Sequence, residues 1–156
     1  MKHIAVATAL IAAFSALALH EGYGQHSGKH VVLTPAQLTW NDLPALPGVK
    51  IAVIQGPLNE AVPFIARVKF PANAKVPAHW HSAIEHVTVL SGLMHMGTGD
   101  KLDTAKTRAF GPGGVTIMQP GTRHFAWFPE ETIIQLHGVG PWTVTYVDPA
   151  DDPRKK

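Results

Sequence analysis

Between residues 64 and 70 the side chains alternate with a period of two. Phe64, Ala66, Val68 and Phe70 fall on one parity, while Arg67 and Lys69 share the other with Ile65. Such alternation predicts an extended strand with one face buried. Pro71 ends it. Further short apolar or β-branched runs occur at 49–55, 79–81, 84–90, 93–96, 115–118, 124–128, 132–137 and 142–147, each bounded by Gly, Pro or Ser. Thr34 before Pro35 predicts one short helical turn over 34–38, and no segment keeps a helical period for three turns. Many short strands at near-regular spacing predict an all-β, antiparallel sandwich or barrel in a single domain.

The N-terminus follows a different pattern. After Met1-Lys2-His3 come the sixteen residues 4–19, apolar except for Thr8 and Ser15 and free of charge. A basic start, an apolar stretch of this size and small residues downstream predict a cleavable signal peptide over 1–24. Cleavage fits after Ala18 or after Gly24. A spanning helix needs about 20 apolar residues, so the expectation is a periplasmic or secreted protein with no stable membrane anchor. Residues 25–30 then read as a polar, flexible lead-in, 31–150 as the β-barrel, and 151–156 as a solvated polar tail.

Composition narrows the chemistry. The chain is 156 residues long, 46% hydrophobic and 15% charged, with 14 glycines and 13 prolines that suit many tight turns. Thirteen basic and eleven acidic residues give a net charge of +2 with no basic block, which argues against a nucleic-acid partner. The absence of cysteine removes disulfides, thiolate mechanisms and Cys-ligated zinc.

Histidine is the residue that stands out. Of ten, six (His79, His81, His86, His95, His124 and His137) lie in the strand-rich stretch. On a strand His79 and His81 project to the same face, and Glu85, at even separation and past the Ser82-Ala83 turn, can face the same cavity. Two imidazoles and a carboxylate suit Fe(II), Mn(II), Ni(II) or Zn(II). A further ligand has to come from another element, and His124, opening a strand after Gln119-Pro120-Gly121-Thr122, is the best placed. Ala126 and Phe128 share its parity and should line the cavity, with Phe125 and Trp127 packing on the other side. Gln135 and His137 alternate with Ile134 and Leu136, so one of these pairs faces inward; the polar pair is carried as a pocket candidate. Trp80, between two candidate ligands, reads first as a packing aromatic and second as a substrate contact. His86 and His95 are expected to point away from the cavity.

These residues resemble the cupin superfamily, in particular small exported single-domain cupins and anti-sigma-type cupin domains. His79-Trp80-His81, then Glu85, then Gly92 match the first cupin motif; Gly113, Gly121 and His124 match the second, with Gln119 in the place of its proline and Phe128 in the place of its asparagine. The resemblance implies a double-stranded β-helix, or jelly roll, holding one divalent metal through His79, His81, Glu85 and His124. It implies Fe(II) chemistry first, as in a dioxygenase acting on a small dicarbonyl or phenolic ketone. Glu85 then serves as ligand or, off the metal, as a base. A metal-dependent lyase or isomerase and a non-catalytic ligand-binding or sensor cupin are the alternatives; the short tail beyond the barrel tilts the expectation to the enzyme. A small-molecule ligand is expected as partner, and a homodimer is the usual assembly of similar cupins.

Overall fold

A computed structural model describes residues 30–155. The leader expected over 1–24, and all of the lead-in except His30, lie outside the described residues. The chain divides into units Met1–Val32 and Leu33–Lys156, and the architecture below belongs to the second.

Eleven strands are described: β1 (Asn41–Asp42), β2 (Lys50–Gln55), β3 (Pro63–Phe70), β4 (Ala74–Trp80), β5 (Glu85–Ser91), β6 (Met94–Thr98), β7 (Arg108–Phe110), β8 (Val115–Met118), β9 (His124–Phe128), β10 (Thr132–Val139) and β11 (Thr145–Tyr146). The only helical pieces among the described residues are short 3₁₀ turns, the first at Pro35–Gln37 where Thr34-Pro35 predicts one. One sheet runs β1-β2-β3-β10-β5-β8 and the other β11-β4-β9-β6-β7, all neighbours antiparallel. The non-consecutive neighbours are the crossovers of a jelly roll, which closes two sheets around one interior.

Alternation decides what fills that interior. Phe64, Ala66, Val68 and Phe70 of β3 are buried, as are Val87 and Val89 of β5 and Ile134 and Leu136 of β10. Phe70 from the first sheet stacks on Phe128 from the second, ring centroids 3.8 Å apart and 11° from parallel. That contact ties the sheets across the core, and full burial of each such ring stabilises the fold by up to about 3 kcal/mol.

β4 begins earlier than its apolar pattern alone predicts. Pro77 interrupts the reading because it cannot donate to a ladder, and the pairing of β4 with β9 shifts register between Val76 and His79. The irregularity changes the parity of the strand. Val76 and His79, three residues apart, both line the interior. Asn41–Asp42 and Arg108–Phe110, which lie outside the apolar runs of the sequence, pair as edge strands too short to show a period.

In the tail expected to be solvated from residue 151, Asp151, Arg154 and Lys155 are exposed and one residue departs from that pattern. Asp152 is buried and receives two hydrogen bonds from the Arg154 guanidinium at 2.7 and 2.9 Å; Arg154 also donates to the Val144 carbonyl at 3.0 Å. Nearby Tyr146 donates to the Ala45 carbonyl at 2.6 Å. Burial first, then the Asp152 carboxylate, push the Tyr146 phenol up to about 12. Polarity alone predicts exposure, but Asp152 and the Tyr146 hydroxyl each have a partner.

Candidate metal centre

His79 is the penultimate residue of β4, His81 follows that strand directly, Glu85 opens β5 and His124 opens β9, so strand ends from both sheets meet at one end of the barrel. All four residues are buried, with 3–6% exposure. The turns that deliver them are specified locally. Thr122 N–H donates to the Gln119 carbonyl at 3.0 Å, with Pro120 and Gly121 as the central residues. Gly121 has φ +77°. Proline followed by a left-handed glycine is the requirement of a type II turn, so the proline displaced by one position still serves it. Gly121 N–H donates in turn to the His81 carbonyl at 3.0 Å, joining the His124 turn to the other ligand strand.

Each imidazole is oriented by the main chain. Nδ1 lies 2.7 Å from the Pro77 carbonyl in His79, 2.7 Å from the Thr143 carbonyl in His81 and 2.9 Å from the Thr122 carbonyl in His124. A carbonyl can only accept, so Nδ1 carries the proton and Nε2 is left with a lone pair. Burial, then His124 and His81, hold His79 well below the usual histidine value. Burial likewise lowers His124, against the opposing pull of Glu85. These two rings are therefore neutral, the state in which imidazole binds metal.

Ligand atoms of His79, His81 and His124 all lie within 4.8 Å of one another. Glu85 Oε2 stands 3.3 Å from His81 Nε2 and 3.6 Å from His124 Nε2. Among the described residues, His81 Nε2 is one of two buried side-chain polar atoms with no hydrogen-bond partner. In a neutral ring whose Nδ1 carries the proton, this nitrogen presents a lone pair to a carboxylate oxygen, and a cation between them would satisfy both. The 3.3 and 3.6 Å separations approach the roughly 3 Å between neighbouring donors around an ion with bonds of about 2.1 Å. The residues present thus fit one metal ion, held by three histidines with Glu85 beside them.

The cavity at this centre has a volume of about 50 Å³, space for a few water-sized groups. Its walls are almost wholly apolar: Met94, Met118, Ala126 and Phe128 take part, and Trp142 lies flat on His81 at 4.5 Å and 19°. Ala126 and Phe128 stand where strand parity predicts. Phe125 and Trp127 do not line it; Trp127 stacks on His95 outside at 4.2 Å.

Three pocket candidates are corrected. Gln135 and His137 lie on the outer face of the first sheet, because Ile134 pairs with Val68 and Val89, and Leu136 with Ala66 and Val87, all core residues. His137 stacks on His86 across the strands at 4.7 Å, and Gln135 accepts from Arg67 at 3.4 Å. Both line an open outer groove with Ile65, Ile84 and Val139. Trp80, between inward-facing His79 and His81, is absent from the cavity wall. Among the wall residues missed by sequence reasoning, Trp142 is the one that stacks on a candidate ligand. It reaches His81 through a loop 61 residues away in sequence, tied by Thr143 donating to Ser82 at 2.9 Å and Ser82 donating to the Pro141 carbonyl at 2.7 Å. No local pattern marks that approach.

Comparison with known proteins places this architecture. A family model described as the ChrR cupin-like domain matches residues 28–143. No curated protein matches the chain by sequence. Among solved structures, the polyketide cyclase RemF from Streptomyces resistomycificus superposes with a TM-score of 0.65 at 16% identity, over 81% of this chain and 91% of that one. A protein from Methylibium petroleiphilum PM1 described as a candidate acetylacetone dioxygenase gives 0.59 at 20% identity, over 80% and 85%. The Rhodobacter sphaeroides complex of SigE with the anti-sigma ChrR gives 0.52 at 20% identity, over 67% and 50%. At these identities the likeness is one of fold.

Proposed function

The chain belongs to the ChrR cupin-like domain family, and on that premise we propose that the protein is an exported metal-dependent enzyme, a dioxygenase acting on a small dicarbonyl or phenolic ketone. The observation that carries the reading is the convergence of three histidine Nε2 atoms and the Glu85 carboxylate in a small apolar cavity. When bound, a divalent metal would supply Lewis-acid polarisation of a substrate oxygen, and Fe(II) would add one-electron chemistry toward O₂. His79, His81 and His124 would hold it, their orientation fixed by the carbonyls of residues 77, 143 and 122. Glu85, if off the metal, is placed to accept the acidic proton of an enolisable substrate at Oε2. The walls formed by Val68, Phe70, Met118 and Phe128 exclude water and favour an apolar body.

Metal content and oxygen uptake test this directly. The purified protein should hold about one metal ion per chain and consume O₂ with a β-diketone or a hydroxyacetophenone, and His124→Ala should lose both. A protein that takes up no metal under aerobic and anaerobic preparation alike would overturn the reading. Export is checked by the N-terminus of the processed protein, expected at Leu19 or Gln25.

The family model favours one other reading, a ligand-binding or sensory cupin of the anti-sigma type. Metal uptake and ligand binding without O₂ consumption would select it, and release of an altered, unoxidised product would select a lyase or isomerase on the same centre.

A further inference from the structure

Two buried side-chain polar atoms among the described residues have no hydrogen-bond partner, and both belong to residues lining the same cavity: His81 Nε2 and Trp142 Nε1. They are chemical opposites. The first is a lone pair that suits a cation; the second is an indole N–H that can only donate. A buried donor left unpaired is costly, and indoles are usually paired when buried.

Trp142 is also firmly held. Its ring stacks on His81 at 4.5 Å, its backbone N–H donates to the Leu58 carbonyl at 2.7 Å, and Phe64 packs at 6.3 Å. The following residue, Thr143, supplies the carbonyl that orients His81. The indole is thus fixed relative to the histidine centre, and the wall around it is otherwise aliphatic, aromatic or methionine apart from the four candidate ligand residues.

We propose that the Trp142 indole N–H is the donor that recognises an oxygen acceptor of the small ligand held beside the three histidines, making the site selective for molecules that present a carbonyl, enolate or carboxylate-like oxygen. The inference rests on the site being a metal centre and deepens it, since the cavity then offers a cation for one oxygen and a neutral donor for an oxygen of the same ligand. It assigns Trp142 to ligand selection whether or not chemistry follows.

The test uses Zn²⁺-loaded protein, acetohydroxamate as a small oxygen-donor probe, and ¹⁵N-indole NMR, with affinity measured by calorimetry. Trp142→Phe identifies the resonance and removes the donor while keeping an aromatic ring. On adding the probe, the Trp142 indole proton should move downfield and exchange more slowly. Trp142→Phe should bind Zn²⁺ as before but acetohydroxamate about fivefold to tenfold more weakly. Should that variant not fold, Trp40→Phe, Trp80→Phe and Trp127→Phe assign the signal by elimination. An indole resonance unmoved by bound probe, equal probe affinity in Trp142→Phe, or Zn²⁺-loaded protein that binds no probe would each overturn the proposal. A shifted indole without O₂ uptake in the assay above would overturn the dioxygenase reading alone, and failure to load any metal would overturn both.

Discussion

At the scale of single residues, the site's behaviour with pH follows from neutral histidines. His79 and His124 sit below the ordinary value of 6.5 in the folded chain. Well above 6.5 neither the folded nor the unfolded chain carries those protons, and stability is at its full value. As the pH falls through 6.5 the unfolded chain takes them up first, so stability without metal declines until the lower folded values are reached. Thermal melts of metal-free protein should therefore show a lower midpoint at pH 5 than at pH 7.5, and His124→Gln should flatten that slope. Phe128 gives a second residue-level expectation. It is 1% exposed and stacks on Phe70, so Phe128→Ala should cost about 3–5 kcal/mol in urea unfolding. The asparagine place in the second motif is here a core position. The meeting of His79 and His81 was legible at this scale because His-x-His on extended backbone fixes a shared face. The outward fate of Trp80 follows from the same rule.

Elements show what a single strand cannot say about itself. Alternation in 132–137 left two solutions, and it is the register of β10 against β3 and β5 that turns Ile134 and Leu136 inward and Gln135 and His137 out. The signal was present in the alternation of the neighbouring strands, but only once their pairing was known. The early start of β4 was hidden for another reason: Pro77 and the register shift beside it replace period two by a step of three between Val76 and His79. Turns, by contrast, were readable. Gly92 has φ +77°, and an added Cβ would run into the Glu131 carbonyl and Thr132. Gly121 has the same φ but open space around it. Gly92→Ala should thus lose at least about 2 kcal/mol of stability and Gly121→Ala only about 1 kcal/mol, a difference that denaturant titration can resolve.

For the whole molecule, the jelly roll and the histidine cluster were both accessible from sequence, since short strands, tight turns and motif spacing all point the same way. The long-range closures were not. Trp142 meets His81, and Arg154 pairs with Asp152 and reaches the Val144 carbonyl, through contacts that no local pattern encodes. The last closure carries its own expectation: Arg154→Ala should lower the melting temperature by leaving buried Asp152 without its cation. Because Arg154 holds the Asp152 carboxyl below its ordinary value of 3.8, that contribution is present above pH 3.8 and is lost as acid protonates the folded carboxyl, so parent and variant should converge at low pH.

All three ring orientations depend on main-chain carbonyls, those of residues 77, 122 and 143. A carbonyl is supplied by any amino acid, including the proline at 77, so the supporting shell of this centre is largely invisible to mutation. Thr122→Val should leave metal content at the parent level. The arrangement of the three histidines is therefore inherited with the path of the chain, and the walls around it are free to drift while the rings stay where they are.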